Sequence, residues 1–246
     1  MMIHSYENGL RAESCIEYIK GLDGIGRWED IILLPIPTSR DNRTILNTKV
    51  DTNSLIPQIN DKTFVSGYGL DKTFIDGAIE RGGTVVDLAL EEDFLLENAR
   101  LTALATVGIL LGSTKVSPED LRLGVVGYGR IGKHLVNLFL YLGAEVRVFT
   151  SRPSTRLDLC EYGVASAMSS SDADLSGLDL LINTAPALIF TPDSIPEGLR
   201  IIDLASGDNF HGVEVEKYPS VPAKMFPVSA GRVWGRSIGK YLINNL

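Results

Sequence analysis

The stretch LRLGVVGYGRIG, residues 121–132, decides how the second half of the chain folds. Residues 121–126 form an apolar, β-branched run of strand length, and a helical pattern follows over residues 130–142. A second run of strand length occupies residues 145–150. A glycine turn between a strand and a helix, with another strand after it, is typical of a βαβ unit in a parallel sheet.

The glycines of this turn have the spacing GxGxxG, and each has a physical role. Gly127 permits the tight turn out of the strand, Gly129 lets the backbone approach a diphosphate, and Gly132 lets the helix pack closely on the sheet. The first turn of the helix offers unpaired N–H groups and a partial positive charge to phosphates. This context predicts a dinucleotide-binding site of the Rossmann type rather than a glycine turn that binds nothing. The residues predicted to bind the cofactor here are Gly127, Tyr128, Gly129, Arg130, Ile131 and Gly132.

The end of the second strand decides which dinucleotide is bound. In NAD-binding domains this strand usually ends in Asp or Glu, whose carboxylate holds the ribose 2′-hydroxyl. Here it ends in Thr150, Ser151 and Arg152, which can instead hold a 2′-phosphate through two hydroxyls and a guanidinium. Arg130 could add a second positive charge. We therefore predict a preference for NADP(H), whereas a solvated Arg152 would leave NAD(H) as an alternative cofactor.

Two further strands, at residues 179–183 and 199–204, end at the same predicted edge of the sheet. Ligands of open parallel sheets bind at this edge, and small or hydroxylated residues there leave room for the nicotinamide ribose. Asp203 could contact a ribose or an amide, or it could only hold a loop; the sequence leaves both open. The predicted cofactor-binding residues at these strand ends are Asn183, Thr184, Ala185, Pro186, Asp203 and Ala205.

Runs of strand length alternate with helix-length segments along most of the chain, as in a parallel sheet covered by helices. The predicted fold class is α/β, with a Rossmann-type doubly wound parallel sheet and a smaller N-terminal α/β domain. We expect residues 1–97 to form the small domain, which would bind substrate. Residues 98–246 would form the dinucleotide-binding domain, with the C-terminal helix packing back. A long Ala- and Leu-rich helix over residues 92–111 joins them.

The composition excludes several classes of function. Lys and Arg number 23 against 31 Asp and Glu, a net charge of −8, so a nucleic-acid or anionic-membrane surface is not expected. The first residues lack the basic and apolar parts of a signal peptide, and the nearly uncharged residues 101–116 are too short for a membrane span. Cys15, Cys160 and the three histidines are scattered without metal-ligand spacing. We expect a cytoplasmic protein with reduced thiols and no metal.

A family resemblance extends over residues 85–246, in the segments VVDLA, GVVGYGRIGKHL, GAEVRV, DLLINTAP and IIDLAS. These segments resemble the A subunit of bacterial dipicolinate synthase, a family related in its cofactor domain to the D-2-hydroxyacid dehydrogenases. The earlier segments IILLPIP and FVSGYGL fit the family's first domain. The resemblance implies NADP(H)-dependent oxidation of a dihydropyridine dicarboxylate to dipicolinate during spore formation, together with a flavoprotein-like second subunit.

Departures from the family pattern lie where substrate should bind. The family's first strand and glycine turn are missing, so that the chain would begin about one βα unit late. The Glu that follows a Pro-Thr pair in the family's interdomain helix has no counterpart at residues 100–104, and residues 207–211 replace a Pro-Gly-Gly segment. Cofactor binding carries over from the resemblance. The alternatives for function are a non-catalytic or regulatory NADP(H)-binding subunit, or a reductase of another 2-oxo or 2-hydroxy acid.

The loop after the first strong strand holds the candidate substrate site. Arg40, together with the hydroxyls of Thr38 and Ser39, could clamp a carboxylate group. The same segment could equally be an ordinary surface loop. The expected substrate is a small dicarboxylate, and a homodimer is the expected assembly.

Further candidates for catalysis lie on the long helix and in a late loop. Asn98, Arg100 and Thr102 could face a cleft between the domains, or they could cap or solvate the helix. We take Asn98 as a catalytic candidate and Thr102 as a substrate contact. His211 could act as an acid or base, although the sequence reveals no carboxylate partner for it.

Overall fold

The computed structural model describes residues 1–161, 164–166, 173–218 and 220–243. The chain divides into a first unit, formed by Met1–Asn98 together with Pro222–Leu246, and a second unit, Ala99–Val221. This division differs from the predicted domains, 1–97 and 98–246, because the C-terminal segment belongs to the first unit.

The first unit contains a four-stranded parallel sheet in which the strands lie side by side in chain order. Its strands bring apolar residues into register: Ile31 of the second strand lies between Ile3 of the first and Phe64 of the third. All four strands end at one edge of the sheet because they are parallel. The elements are β1 (Met2–Ser5), α1 (Leu10–Lys20), β2 (Asp30–Leu33), β3 (Thr63–Gly67), α2 (Lys72–Glu80) and β4 (Thr84–Asp87).

Strand β1 and the turn after it correct an expectation from the sequence. We expected the first strand and glycine turn to be missing, but β1 pairs with β2 and a turn at Gly9, with φ of +100°, leads into α1. The expectation was wrong because MIHS is a four-residue edge strand whose residues alternate between exposed and half-buried. Such a strand lacks the continuous apolar run by which the buried strands were recognised.

The second unit contains a six-stranded parallel sheet in the order β7-β6-β5-β8-β9-β10. This is the 3-2-1-4-5-6 order of the Rossmann fold, so the predicted fold class is confirmed. Its core includes Val125, Val148 and Ile182 from neighbouring strands, covered by Leu135 and Phe139 of a helix. The elements are β5 (Arg122–Val126), α4 (Arg130–Tyr141), β6 (Glu145–Phe149), α5 (Pro153–Glu161), β7 (Ala165–Ser166), β8 (Leu180–Asn183), β9 (Arg200–Asp203) and β10 (Glu216–Lys217).

A long helix runs from the first unit into the second. This helix, α3 (Glu92–Ser113), is long and apolar enough by length and composition to cross a membrane, whereas the nearly uncharged residues 101–116 alone are too short for a span. Half of its most apolar window is buried inside the protein, and Ala103, Val107 and Leu110 belong to the core of the second unit. The core helix of a soluble protein has the same length and composition, so this one helix is weak evidence for a membrane span.

The last helices are α6 (Val221–Met225) and α7 (Pro227–Ile243). Helix α7 packs against α1 through Gly231, Gly235 and Gly239, which face successive turns of α1. The two helices are therefore parallel, and both begin at the edge where the strands of the first sheet end. A Cβ atom on Gly231 would overlap the carbonyl oxygen of Arg11, which shows how closely the helices approach.

Buried side chains fix α7 in the first unit. The indole Nε1 of Trp234 donates to Ser66 Oγ at 3.1 Å, and Nε1 of Trp28 donates to the carbonyl oxygen of Leu242 at 3.0 Å. Cys15 of α1 is a free, buried thiol, and burial raises its pKa. The side chain of Cys160 lies outside the part of the chain that the structure describes.

Candidate functional site

The glycine turn after β5 is tied to both neighbouring strands. Gly127 has a φ of +87°, a left-handed conformation that favours glycine, and its N–H donates to the carbonyl oxygen of Phe149 at 2.8 Å. From the other side, Thr184 Oγ1 donates to the carbonyl oxygen of Val126 at 2.8 Å. A Cβ atom on Gly127 would lie 2.7 Å from Thr184 Oγ1. The turn is thus held in one position between β6 and β8.

The other two glycines of the motif differ in what surrounds them. A Cβ atom on Gly132 would overlap the carbonyl oxygen of Gly127, so this glycine is required for α4 to pack against the turn. A Cβ atom on Gly129 would meet nothing within 4 Å. The N-cap residue Gly129 has no side chain to cap α4, and the first turn of the helix carries no acidic residue. The start of α4 therefore faces open space at Gly129, where a phosphate could approach the backbone N–H groups.

A cleft of about 420 Å³ opens between the loops that follow β5, β6 and β8. It lies at the edge where ligands of parallel α/β sheets bind. Nine residues predicted to bind the cofactor line it: Gly127, Tyr128, Gly129, Thr150, Ser151, Arg152, Thr184, Ala185 and Pro186. The sequence analysis missed four lining residues: Phe149, Ala187, Ile189 and Phe190.

The missed residues form an apolar wall of the cleft. The rings of Phe149 and Phe190 meet edge to face, with centroids 6.0 Å apart and an interplanar angle of 88°. Both belong to a buried apolar cluster that also contains Leu181 and Ile201. Phe149 ends β6 and Phe190 lies in the loop after β8, and each has the same sequence signal as a core residue, so the sequence pointed to packing rather than to a site.

The end of β6 provides the polar side of the cleft. Thr150 is buried, and its Oγ1 accepts a hydrogen bond from the N–H of Arg152 at 3.3 Å. Ser151 and Arg152 are exposed, and the guanidinium of Arg152 forms no ion pair within the described part of the chain. None of the residues described as lining the cleft is a carboxylate. This wall can accommodate an anion that a terminal Asp or Glu would repel.

Arg130 and Ile131 begin α4, and neither lines the cleft. Arg130 is exposed and already interacts with another part of the protein. The ring of the cleft residue Tyr128 lies beneath the ammonium of Lys133, 5.7 Å from the ring centroid to Nζ. A second cation thus lies near the start of α4, and it is Lys133 rather than a free Arg130.

Asn183 and Asp203 lie beneath the cleft rather than on its wall, and both are buried. Asn183 Nδ2 donates to Asp203 Oδ1 at 2.8 Å and to the carbonyl oxygen of Ala185 at 3.0 Å, and Asn183 Oδ1 accepts from the N–H of Ala185 at 3.1 Å. The N–H of Ala205 donates to Asp203 Oδ1 at 3.1 Å. Of the two roles left open for Asp203, its contacts are those of a residue that holds loops.

The network continues into the loop after β9. Asn209 Nδ2 donates to the carbonyl oxygen of Ser206 at 3.1 Å and lies 3.4 Å from Asp203 Oδ2. Lys217 Nζ lies 3.9 Å from the same oxygen. His211 is exposed and outside the cleft lining, with Nδ1 2.9 Å from Asp208 Oδ2. His211 therefore has the carboxylate partner that the sequence did not reveal.

The predicted substrate loop belongs to the first unit, and its two hydroxyls are already engaged. Thr38 is buried; its Oγ1 donates to the carbonyl oxygen of Pro35 at 3.0 Å and accepts from the N–H of Tyr68 at 2.8 Å. Ser39 Oγ donates to Asp41 Oδ1 at 2.7 Å, and this bond together with backbone N–H donors holds the pKa of Asp41 well below its usual range. The structure thus assigns both hydroxyls to the loop itself, which corrects their role as free carboxylate ligands.

Arg40, at the tip of this loop, is exposed and has no ion-pair partner among the described residues. The other catalytic candidates lie elsewhere. Asn98 is half-buried at the end of the first unit, Thr102 is buried in the second, and each interacts with another group of the protein. His211 also belongs to the second unit.

No family model matches the chain. The dipicolinate synthase A subunit of Bacillus subtilis (strain 168) is 23% identical to it over 230 residues, which cover 87% of this chain and 77% of that protein. The crystal structure of the dipicolinate synthase A subunit from Bacillus halodurans has a TM-score of 0.80 at 21% identity and covers 98% of this chain and 97% of that one.

D-lactate dehydrogenase from Escherichia coli, in its apo structure, has a TM-score of 0.60 at 11% identity, covering 94% of this chain and 93% of that one. The fold is therefore one that dehydrogenases use. Over most of its length the chain is similar in sequence and in fold to the A subunit of dipicolinate synthase, which confirms the resemblance that its motifs carry.

Proposed function

We propose that this chain is an NADP(H)-dependent oxidoreductase that acts on a small dicarboxylate, as dipicolinate synthase does. The observation that carries the proposal is the open start of α4 at Gly129, next to a strand end that presents Ser151 and Arg152 without a carboxylate. We further propose a cytoplasmic homodimer that works with a flavoprotein-like second subunit. The similarity to the dipicolinate synthase A subunit supports the proposed oxidoreductase activity.

The residues of the cleft fit a dinucleotide phosphate. The N–H groups at the start of α4 would hold the diphosphate, because Gly129 leaves space there and Gly132 brings the helix close to the turn. Ser151 and Arg152 would hold the 2′-phosphate. The Asn183–Asp203 pair would keep Thr184 and Ala185 in place along the cleft. When bound, the nicotinamide supplies an acceptor or donor of hydride.

Two exposed side chains are the candidates for substrate chemistry. Arg40 would hold a carboxylate, since its guanidinium is exposed on a loop whose hydroxyls are engaged. Oxidation of a dihydropyridine also releases a proton. Asp208 would orient His211 through Nδ1, leaving Nε2 to accept that proton.

The preference for NADP(H) is tested at Arg152. We expect the intact protein to bind NADPH more tightly than NADH, because the 2′-phosphate gains a charge-assisted hydrogen bond from this guanidinium. Arg152→Asp should lower NADPH affinity roughly 10- to 100-fold and shift the preference toward NADH. Fluorescence titration of both reduced cofactors measures this preference.

Arg156→Asp is the matched control, because Arg156 lies one turn along α5 and outside the cleft lining. It makes the same change of charge, so it should leave the ratio of the two affinities close to that of the intact protein. An unchanged ratio in Arg152→Asp would contradict the assignment of the 2′-phosphate site.

Two alternatives remain as second candidates. The loss of the Glu near residues 100–104 favours a non-catalytic or regulatory NADP(H)-binding subunit, and a reductase of another 2-oxo or 2-hydroxy acid uses the same fold. Adding dipicolinate to the NADPH complex separates them from the main proposal. A change in nicotinamide fluorescence supports a shared site, whereas its absence with NADPH bound favours the alternatives.

A further inference from the structure

Helix α4 carries a cation, Lys133, one turn after the open glycine at its start. The N–H of Lys133 donates to the carbonyl oxygen of Gly129 at 3.0 Å, so the two residues lie on the same face of the helix. Helical side chains lean toward the N-terminus of their helix, which directs the ammonium of Lys133 toward the open space at Gly129. Gly129 lines the candidate cofactor cleft. The side chain of Lys133 can therefore extend to the place where the diphosphate is proposed to bind.

The aromatic ring of Tyr128 holds this ammonium near the cleft. Tyr128 directly precedes Gly129 and also lines the cleft. Lys133 Nζ lies 5.7 Å from the centroid of its ring, within the distance at which the face of an aromatic ring attracts a cation. The ring is half-buried and packs against the core of the second unit, which restricts its movement. The ammonium thus lies beside a residue of the cleft wall instead of extending into solvent.

Among the described residues, no carboxylate pairs with this ammonium. Lys133 is exposed and forms no ion pair within the part of the chain that the structure describes. Helix α4 contains neither Asp nor Glu between Arg130 and Tyr141, so Lys133 has no acidic partner on its own helix. The residues described as lining the cleft include no carboxylate either. The charge of Lys133 is therefore available to an anion.

A dinucleotide diphosphate carries more charge than the start of α4 can balance. The diphosphate has two negative charges, whereas a helix N-terminus contributes the equivalent of about half a positive charge. Arg152 lies at the end of β6, where the proposed function assigns it to the 2′-phosphate, and Arg130 already interacts with another part of the protein. In a chain of net charge −8, anions are bound by local cations, and Lys133 is a cation at this place.

We propose that Lys133 binds the diphosphate of the dinucleotide, and that Tyr128 is a positioning residue whose ring holds the ammonium ready. The inference rests on the proposed function for the class of cofactor. When the cofactor binds, the ammonium leaves the face of the ring and forms a charge-assisted hydrogen bond with a phosphate oxygen. Because NADPH and NADH share the diphosphate, Lys133 contributes to the affinity for both, whereas Arg152 contributes to the preference between them.

Fluorescence titration of the full-length protein with NADPH and with NADH tests this difference. Lys133→Met removes the charge and keeps an unbranched side chain. It should weaken the binding of both cofactors by the same factor, about 5- to 20-fold, and leave the ratio of the two affinities unchanged. Lys133→Arg keeps the charge and should retain most of the affinity. Added salt should weaken binding less in Lys133→Met than in the intact protein, because one charge interaction fewer is screened.

A double-mutant cycle tests the role of Tyr128. Tyr128→Leu removes the attraction between the ring and the ammonium and should weaken the binding of both cofactors about two- to fivefold. In the Lys133→Met background the same substitution should have little further effect, because the ring then has no cation to hold. An equal effect of Tyr128→Leu in both backgrounds would show that the ring acts through packing alone, which overturns its positioning role.

Lys115→Met is the matched control, because Lys115 is an exposed lysine of the second unit and lies outside the lining of the cofactor cleft. It makes the same change of charge and should leave both affinities close to those of the intact protein. Circular dichroism of each variant establishes that it is folded.

The outcomes separate the inference from the proposed function. Unchanged affinities for both cofactors in Lys133→Met overturn the inference while the proposed cofactor stands. A loss confined to NADPH assigns Lys133 to the 2′-phosphate and also overturns the inference, as does an equal loss in Lys115→Met. Failure of the intact protein to bind either cofactor overturns the proposed function and the inference together.

Discussion

At Gly132, an added Cβ atom would overlap the carbonyl oxygen of Gly127, whereas at Gly129 it would meet nothing within 4 Å. Gly132→Ala should therefore cost about 1–3 kcal/mol of folding stability and weaken NADPH binding, because the turn must shift. Gly129→Ala should leave the melting temperature nearly unchanged and weaken only NADPH binding, because its methyl group occupies the space of the diphosphate. Thermal unfolding and NADPH titration of both variants measure the two effects. Equal affinity for NADPH in Gly129→Ala and the intact protein would contradict the proposed position of the cofactor.

The buried carboxylate of Asp203 accepts hydrogen bonds from Asn183 and Ala205 on one oxygen and faces Asn209 and Lys217 with the other. In Asp203→Asn, the NH2 group of the new amide would face one of these N–H donors, and the two donors cannot form a hydrogen bond with each other. We expect a loss of about 1–3 kcal/mol in the free energy of unfolding, measured in urea. Ser206→Ala, in an exposed part of the same loop, should change it little. If both variants lose the same free energy of unfolding, the effect comes from any change in the loop and not from the hydrogen bonds of Asp203.

Among the residues that line the cleft, the sequence indicated the glycines and the arginine and missed the large apolar residues. Gly127, Gly129 and Arg152 were recognised because few other roles require glycine or arginine at that spacing. Phe149 and Phe190 were missed because an apolar wall of a cleft and an apolar core have the same composition.

The contact between α1 and α7 depends on glycines that differ in how much room they have. A Cβ atom on Gly231 would overlap the carbonyl oxygen of Arg11, while one on Gly239 would lie 3.3 Å from the flexible end of Leu22. Gly231→Ala should destabilise the first unit by about 1–3 kcal/mol, since backbone must move. Gly239→Ala should be close to neutral, because alanine gains about 1 kcal/mol in helix propensity. Tryptophan emission during urea unfolding measures both, and equal losses would contradict the close approach at Gly231.

Strand β10 is a two-residue edge strand, and one of its side chains forms an ion pair with a residue of the neighbouring strand β9. Arg200 Nε lies 2.5 Å from Glu216 Oε1, and this hydrogen bond holds the pKa of Glu216 below its ordinary value. A carboxylate whose pKa is lower in the folded state than in the unfolded state stabilises the fold at any pH above its unfolded-state pKa. This stability is lost as the pH falls through the folded-state pKa. Glu216→Gln should therefore flatten the fall in stability below about pH 4.3. Urea unfolding at several pH values measures the slope, and parallel slopes in both proteins would contradict the role of this pair.

Secondary structure was predictable where buried, continuous runs formed strands, as at β2, β5 and β8. It was not predictable at β1 and β10, because short edge strands are defined by a neighbour in space rather than by their own residues. Helix α7 begins at Pro227, since proline at the first helical position needs no N–H partner. Its place in the first unit depends on contacts with α1, which no local pattern encodes.

Both tryptophans, Trp28 and Trp234, are buried in the first unit, whereas the candidate cofactor cleft lies in the second. Tryptophan emission therefore reports on the first unit alone. NADPH at about 100 times its dissociation constant should stabilise the second unit by about 2.7 kcal/mol. In urea, we expect the circular dichroism curve to gain a later transition while the tryptophan transition moves little. If both transitions shift together, the units unfold as one.

The first unit is formed by two segments, Met1–Asn98 and Pro222–Leu246, that the second unit separates in the chain. A ribosome therefore translates the whole second unit after α1 and before α7. Until α7 emerges, the face of α1 around Ser14 and Tyr18 has no helix to cover it. We expect the second unit to finish folding before the first, although the ribosome makes Met1–Asn98 before it.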